Sequence, residues 1–290
     1  MPIITISHSP FGGGRELAER VASVLDHPCA SREVLIEASR RYGIPEAKFS
    51  EVLETEPTWF RRWRESLILY QITLQAAMCE LAQSGRLVYH GSGGQELFPG
   101  VRHVLKILLN APMEYRIEQL KARQQSDETE PKDRRGFDDK AARHYLEQLD
   151  GIRTRRLKAI FGVDWRDSTH YDLVINISQM SLDTAARMIV EAAQSEEYQP
   201  DSESDQAFQD LMVTARVRAA LAIPRETRDL AIHVRSEKGE VHLSGILSSP
   251  AIEAEIVKTV EKVPGVVSVV SDLIFTQRLG EYSSRMIVRH

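Results

Sequence analysis

The chain opens on a β-branched run, Ile3-Ile4-Thr5-Ile6, followed by Ser7-His8-Ser9-Pro10-Phe11 and three consecutive glycines. Apolar residues then return at helical spacing at Leu17, Val21, Val24 and Leu25. This pattern predicts a strand, a glycine loop and a helix. Asp26-His27-Pro28 closes that unit, and Ser31 is placed to cap a helix that ends at Gly43. Ile44-Pro45 opens a short helix to Leu53. A stripe of Trp59, Trp63, Leu67, Tyr70, Leu74, Met78 and Leu81 predicts a long, core-facing helix over 58–84.

Strands are expected at 86–90, 104–109 and 171–176, a helix carrying Tyr115, Ile117 and Leu120 after Asn110-Ala111-Pro112, and further helices at about 139–160 and 181–193. Between Gln124 and Asp139 the composition turns to charge and predicts an exposed flap. Four strands alternating with helices imply right-handed crossovers and a parallel α/β sheet over residues 1–194. A ligand then belongs at the carboxyl ends of the strands, where the glycine loop, the Gly91-Ser92-Gly93-Gly94 turn and Asn110-Ala111-Pro112 converge.

Residues 195–206 are acidic and polar, and read as a linker. A helix over 205–221, strands over 230–235 and 240–245, a helix over 250–263 and a last strand over 266–275 follow. They predict a small α+β sandwich over 207–276, with residues 277–290 as a flexible tail.

Composition narrows the function. A hydrophobic content of 42% with 27% charged residues is that of an ordinary globular protein. A net charge of -5 gives no global attraction to nucleic acid, so any anion site must be a local cluster. Cys29 and Cys79 lie in unrelated segments and read as reduced packing residues. The nine histidines show no metal-ligand spacing, and no metal site is expected. Neither a signal-peptide pattern nor a run of about 20 apolar residues is present, so no transmembrane segment is expected and the cytoplasm is the default compartment.

Glycines between a strand and a helix let several backbone N–H groups face one point, and the positive helix end adds to them, so phosphate is the natural guest. Plain turn chemistry is the alternative for an isolated glycine run. The usual phosphate loop reads G-x-x-x-x-G-K-[ST]. Here Gly14 stands at the Lys and Arg15 at the hydroxyl. A guanidinium can replace the charge, but nothing replaces the hydroxyl.

Gly12-Gly13-Gly14-Arg15-Glu16 is one of three motifs that belong together. The others are Ala111-Pro112-Met113-Glu114-Tyr115-Arg116 and Phe161-Gly162-Val163-Asp164-Trp165-Arg166-Asp167 ahead of the strand at 171–176. In that order they resemble the cytidylate-kinase-like branch of the nucleoside monophosphate kinases, whose loop reads G-S-G-G-R-E. Phe11 replaces the first glycine, Gly91-Ser92 stands where the branch has Gly-Arg, and Ser31 stands near a frequent Asp.

The resemblance implies a P-loop domain with a three-layer parallel sheet. It also implies ATP as phosphate donor and a nucleoside monophosphate as acceptor. Ser9, Gly12, Gly13, Gly14, Arg15 and Glu16 become the phosphate-binding candidates, and Arg15, Arg116, Arg153 and Arg156 the catalytic cations. Arg134 and Arg135 become lid cations. For Mg²⁺ the usual loop hydroxyl is missing, which leaves Ser7 or Ser9 through water, or Glu16.

Asp229-Leu230-Ala231-Ile232-His233-Val234, Gly239-Glu240-Val241-His242-Leu243-Ser244-Gly245 and Val263-Pro264-Gly265-Val266-Val267-Ser268-Val269 resemble a BON domain. That resemblance implies a lipid, small-ligand or protein partner and no catalytic residue. Two functions follow. One is a nucleotide kinase localised or regulated by its BON domain. The other is a degenerate sensor of nucleotide or phosphate ligands that signals through it.

Overall fold

A computed structural model describes residues 2–31, 33–43, 61–126 and 137–275. The helix expected at 44–53, the start of the one at 58–84, the lid residues Arg134 and Arg135, and the tail at 277–290 lie outside the described residues.

The first domain runs β1 (Ile3–His8), α1 (Gly14–Leu25), β2 (Cys29–Ala30), α2 (Glu33–Tyr42), α3 (Arg61–Leu81), β3 (Leu87–Gly91) and β4 (Val104–Asn110). It continues with α4 (Met113–Ser126), α5 (Asp139–Phe161), β5 (Leu173–Asn176) and α6 (Leu182–Gln194). The five strands form one parallel sheet in the order β2-β3-β1-β4-β5. Sequence pattern alone gives four strands. The fifth, β2, is two residues long, too short to show alternation, and exists by pairing Cys29 and Ala30 with Val88 and Tyr89.

β1 is fully inside, and its alternation sends Ile4 and Ile6 to one face and Ile3 to the other. On the first face α1 and α6 pack through Leu17, Val21, Ala185 and Ile189. On the second, α3 packs through Leu74 and Met78. The result is helix, sheet, helix: three layers. β1 lies between β3 and β4, so the chain switches sides of the sheet there, and the crevice beyond His8 is the topological switch point.

The acidic stretch at 195–206 has defined structure. Glu196–Tyr198 form a 3₁₀ turn, and α7 (Ser202–Ala222) begins three residues earlier than the apolar pattern suggests. Asp201 and Ser204 close a capping box at its start. Arg102 reaches across to the carbonyls of Glu197 and Gln199 and to Asp201.

The second domain follows as α8 (Arg225–Arg228), β6 (Ile232–Glu237), β7 (Glu240–Leu247), α9 (Pro250–Val260) and β8 (Ser268–Phe275). β6 and β7 are antiparallel, while β7 and β8 are parallel. α7 serves both domains. Phe208, Met212, Ala215 and Ala219 join the core around α3, whereas Val213, Val217 and Leu221 join Val241, Leu243 and Ile256 of the second core. Its two apolar stripes each follow helical spacing, so one helix buries two opposite faces.

Candidate active site

The site begins where β1 runs out. His8 ends the strand, and the chain turns through Ser9 to Gly13 before α1 starts at Gly14. Gly13 adopts φ 76°, the left-handed region that favours glycine, and no side chain caps α1. The first N–H groups of a helix lack intrahelical acceptors, and here none is covered by a capping side chain. A Cβ at Gly12 would stand 2.9 Å from the Ser9 carbonyl oxygen, which explains glycine at that position too.

Every carbonyl on the ascending side of the turn has a donor. The Gly12 N–H donates to Ser9 O at 3.0 Å. His8 Nδ1 also lies 3.0 Å from Ser9 O, which puts the ring proton on Nδ1. Arg153 donates to the His8 carbonyl, and at 3.2 Å to that of Gly91 on β3. Arg116 Nε donates to the Pro10 carbonyl at 2.9 Å. With oxygens 8, 9 and 10 all engaged, that side of the turn offers N–H groups and positive charge to a ligand.

The two arginines are buried, and each is held from behind. Arg116 on α4 forms a bidentate pair with Asp150 on α5, at 2.7 and 2.9 Å. Arg153, one turn further along α5, lies 4.3 Å over the Trp165 ring. Burial lowers its guanidinium to about 10, with nearby Arg116 opposing the Tyr171, Tyr89 and Asp150 charges that raise it. It therefore stays protonated at neutral pH.

His8 is enclosed as well. Burial first, and the Arg153 charge second, lower its imidazole to about 4, so it is neutral at physiological pH. Its ring lies 5.8 Å from that of His90 and occupies the space beside Gly14. A Cβ built on Gly14 would come within 2.0 Å of it.

The other sequence candidates are placed less centrally. Arg15 is on the first turn of α1, 79% exposed, and pairs with Glu19 at 2.8 Å along the helix. Glu16 pairs with Arg20, which also reaches Asp183 on α6. Arg156 is half-buried on α5, near enough to Tyr70 to affect its hydroxyl. Arg134 and Arg135 lie outside the described residues. Motif spacing gave no role to His8, although it is the first position of the G-x-x-x-x-G frame ending at Gly13; that departure from glycine was the available signal.

A phosphate fits this turn, by its donors and by the cations behind it. Mg²⁺ does not fit the same residues. The Ser7 hydroxyl is buried and donates to Gln95 at 2.7 Å, and the first turn of α1 after Gly13 carries no hydroxyl side chain. Among the described residues no group of three His, Cys, Asp or Glu side chains is gathered to hold a metal ion.

A parallel sheet, a glycine turn at its switch point and arginines brought from two later helices define a P-loop kinase-like domain. The chain belongs to the cytidylate kinase-like family, which it matches over residues 3–179, and it carries a BON domain at 209–277. The cytidylate kinase of Methanopyrus kandleri is 29% identical over 187 residues, 62% of this chain and 87% of that protein. The cytidylate kinase of Methanocaldococcus jannaschii is 26% identical over 194 residues, 66% of this chain and 96% of that protein. An uncharacterized protein from Eubacterium ventriosum shares the fold, with a TM-score of 0.50 and 19% identity over 67% of this chain and 99% of that one.

Proposed function

We propose that the first domain binds ATP through its phosphates at the β1–α1 turn and transfers the terminal phosphoryl group to a nucleoside monophosphate. One observation carries this: the carbonyls of residues 8 to 10 are all engaged by donors, two of them buried arginines, so the turn's electrostatics favour an anion. ATP supplies the transferable phosphoryl group. The chain's own part is positioning. The amides at the start of α1 hold the phosphates, and Arg116 and Arg153 place fixed positive charge behind them. Relatives named cytidylate kinase make cytidine monophosphate the first acceptor to try. The BON domain localises or regulates the reaction through a lipid, small-ligand or protein partner. Among the described residues no helix is long and apolar enough to cross a membrane, and the cytoplasm is the compartment that goes with this function.

A second function, binding without turnover, is favoured by one contact. The His8 ring fills the place where a side chain at residue 14 would start, and Arg15 is turned to Glu19 rather than into the turn. A coupled assay with ATP and each nucleoside monophosphate, beside calorimetric titration of the same ligands, separates the two. Turnover with any nucleoside monophosphate supports the kinase. Saturable nucleotide binding with no product in any combination supports the sensor, and no nucleotide binding at all rejects both.

A further inference from the structure

The two domains meet along a groove that encloses about 780 Å³, in the size range of small-molecule sites. Ile68 and Ile72 of α3 form one wall, Leu221 of α7 the floor, and Leu230 and Ile232 at the start of β6 the other wall. Ile68 is 48% exposed there, an apolar side chain left open to solvent at the joint between two folded units.

Arg218 of α7 also lines this groove. Its guanidinium makes one hydrogen bond, to Gln75 Oε1 at 3.3 Å, and among the described residues no carboxylate pairs with it. Burial disfavours its charge. Among the described residues the other ionic groups along the groove are Arg228 and Asp229, with His233 at the β6 end, so their fixed charges with Arg218 sum to one positive. Arg228 is already committed to the Ala222 and Ile223 carbonyls, and Thr227 to that of Leu221. These bonds close the last carbonyls of α7, leaving few backbone acceptors for a peptide lying in the groove.

We propose that the groove binds a long-chain carboxylate, its head on Arg218 and its alkyl chain along Ile68, Ile72, Leu221, Leu230 and Ile232. A half-buried guanidinium in an apolar wall is stabilised by an anion that can be desolvated with it. A carboxylate matches the planar fork and the single net charge. An alkyl chain matches the apolar side chains of Ile68, Ile72, Leu221, Leu230 and Ile232, and in bridging α3 to β6 it covers the exposed Ile68.

The probe is dodecanoate below its micelle concentration, titrated into the full chain by calorimetry. Saturable one-to-one binding is expected, weakened at least tenfold by Arg218→Gln and by Ile68→Asp, and unchanged by excess ATP or by Val24→Asp on the exposed side of α1. Dodecanol should bind at least tenfold more weakly and not respond to Arg218→Gln. Circular dichroism and thermal melting check each variant, and should Arg218→Gln unfold, Ile68→Asp decides, because its side chain is already half in solvent. No saturable heat, equal binding by dodecanol, tighter binding of dodecyl phosphate, or competition by ATP would each overturn the proposal.

Discussion

Arg216 on α7 grips Glu80 on α3 through two hydrogen bonds, one of them 2.9 Å from Nη2 to Oε2. Glu80 is 5% exposed and takes a second cation, Arg41 of α2, at 3.2 Å. Arg216 also donates to the Pro264 carbonyl of the second domain at 3.1 Å. One buried carboxylate thus joins α2, the central helix, the shared helix and the Pro264 turn. Burial alone would raise Glu80, but the Arg216 hydrogen bonds and the Arg216 and Arg41 charges hold it below its ordinary value. Removing Arg216 leaves the Glu80 charge inside with Arg41 as its one partner among the described residues. Arg216→Met should lower stability by about 3 kcal/mol, read from urea midpoints. Glu80→Leu combined with Arg216→Met should regain most of that loss. A single variant as stable as the native chain would show that the pair does not hold the domains together.

Much of this architecture is legible in the residue pattern, for a physical reason. Strands buried on both faces, such as Val104–Leu109, are apolar but for Lys106, and long helices such as α3 carry a clear stripe, so both announce themselves locally. What fails to show is whatever depends on a distant partner. β2 exists through its pairing with β3, and the order of 195–206 comes from Arg102 reaching across from ahead of β4. In the site, Arg116 and Arg153 can be picked out by motif and spacing. That Arg116 is backed by Asp150, and that His8 sits against Gly14, are contacts made only when three segments close on one another.

His8 should make the chain sensitive to mild acid. Its folded value of about 4 lies below the 6.5 of an unfolded imidazole, with burial the main cause. Between these values the unfolded chain binds a proton that the native chain refuses, so stability falls as pH drops through 6.5 and levels off below 4. From pH 7.5 to 5 the loss should be about 2 kcal/mol from this ring. His90 and His103, also lowered mainly by burial, act in the same direction. Urea midpoints at the two pH values, compared between the native chain and His8→Gln, isolate the His8 share. An equal pH response in both proteins would mean the ring is free to take its proton in place.

The contact between His8 and Gly14 makes a sharper test of the site, because the two positions exclude one another's side chains. Gly14→Ala puts a methyl within 2.0 Å of the His8 ring, and a ring that is enclosed and bonded to Ser9 O has little room to yield. Overpacking of this kind costs about 1–3 kcal/mol, which a thermal melt would show. In His8→Gly the same methyl should be nearly neutral, giving a coupling of about 1 kcal/mol or more in a double-mutant cycle. His8→Gly with Gly14→Lys goes further, since it rebuilds the G-x-x-x-x-G-K order with the ring removed from the lysine's path. That double variant should bind ATP at least tenfold more tightly than the native chain in calorimetry, whereas Gly14→Lys alone should lose both stability and binding. Equal ATP affinity in the native and double-variant chains would mean that no phosphate reaches the end of α1.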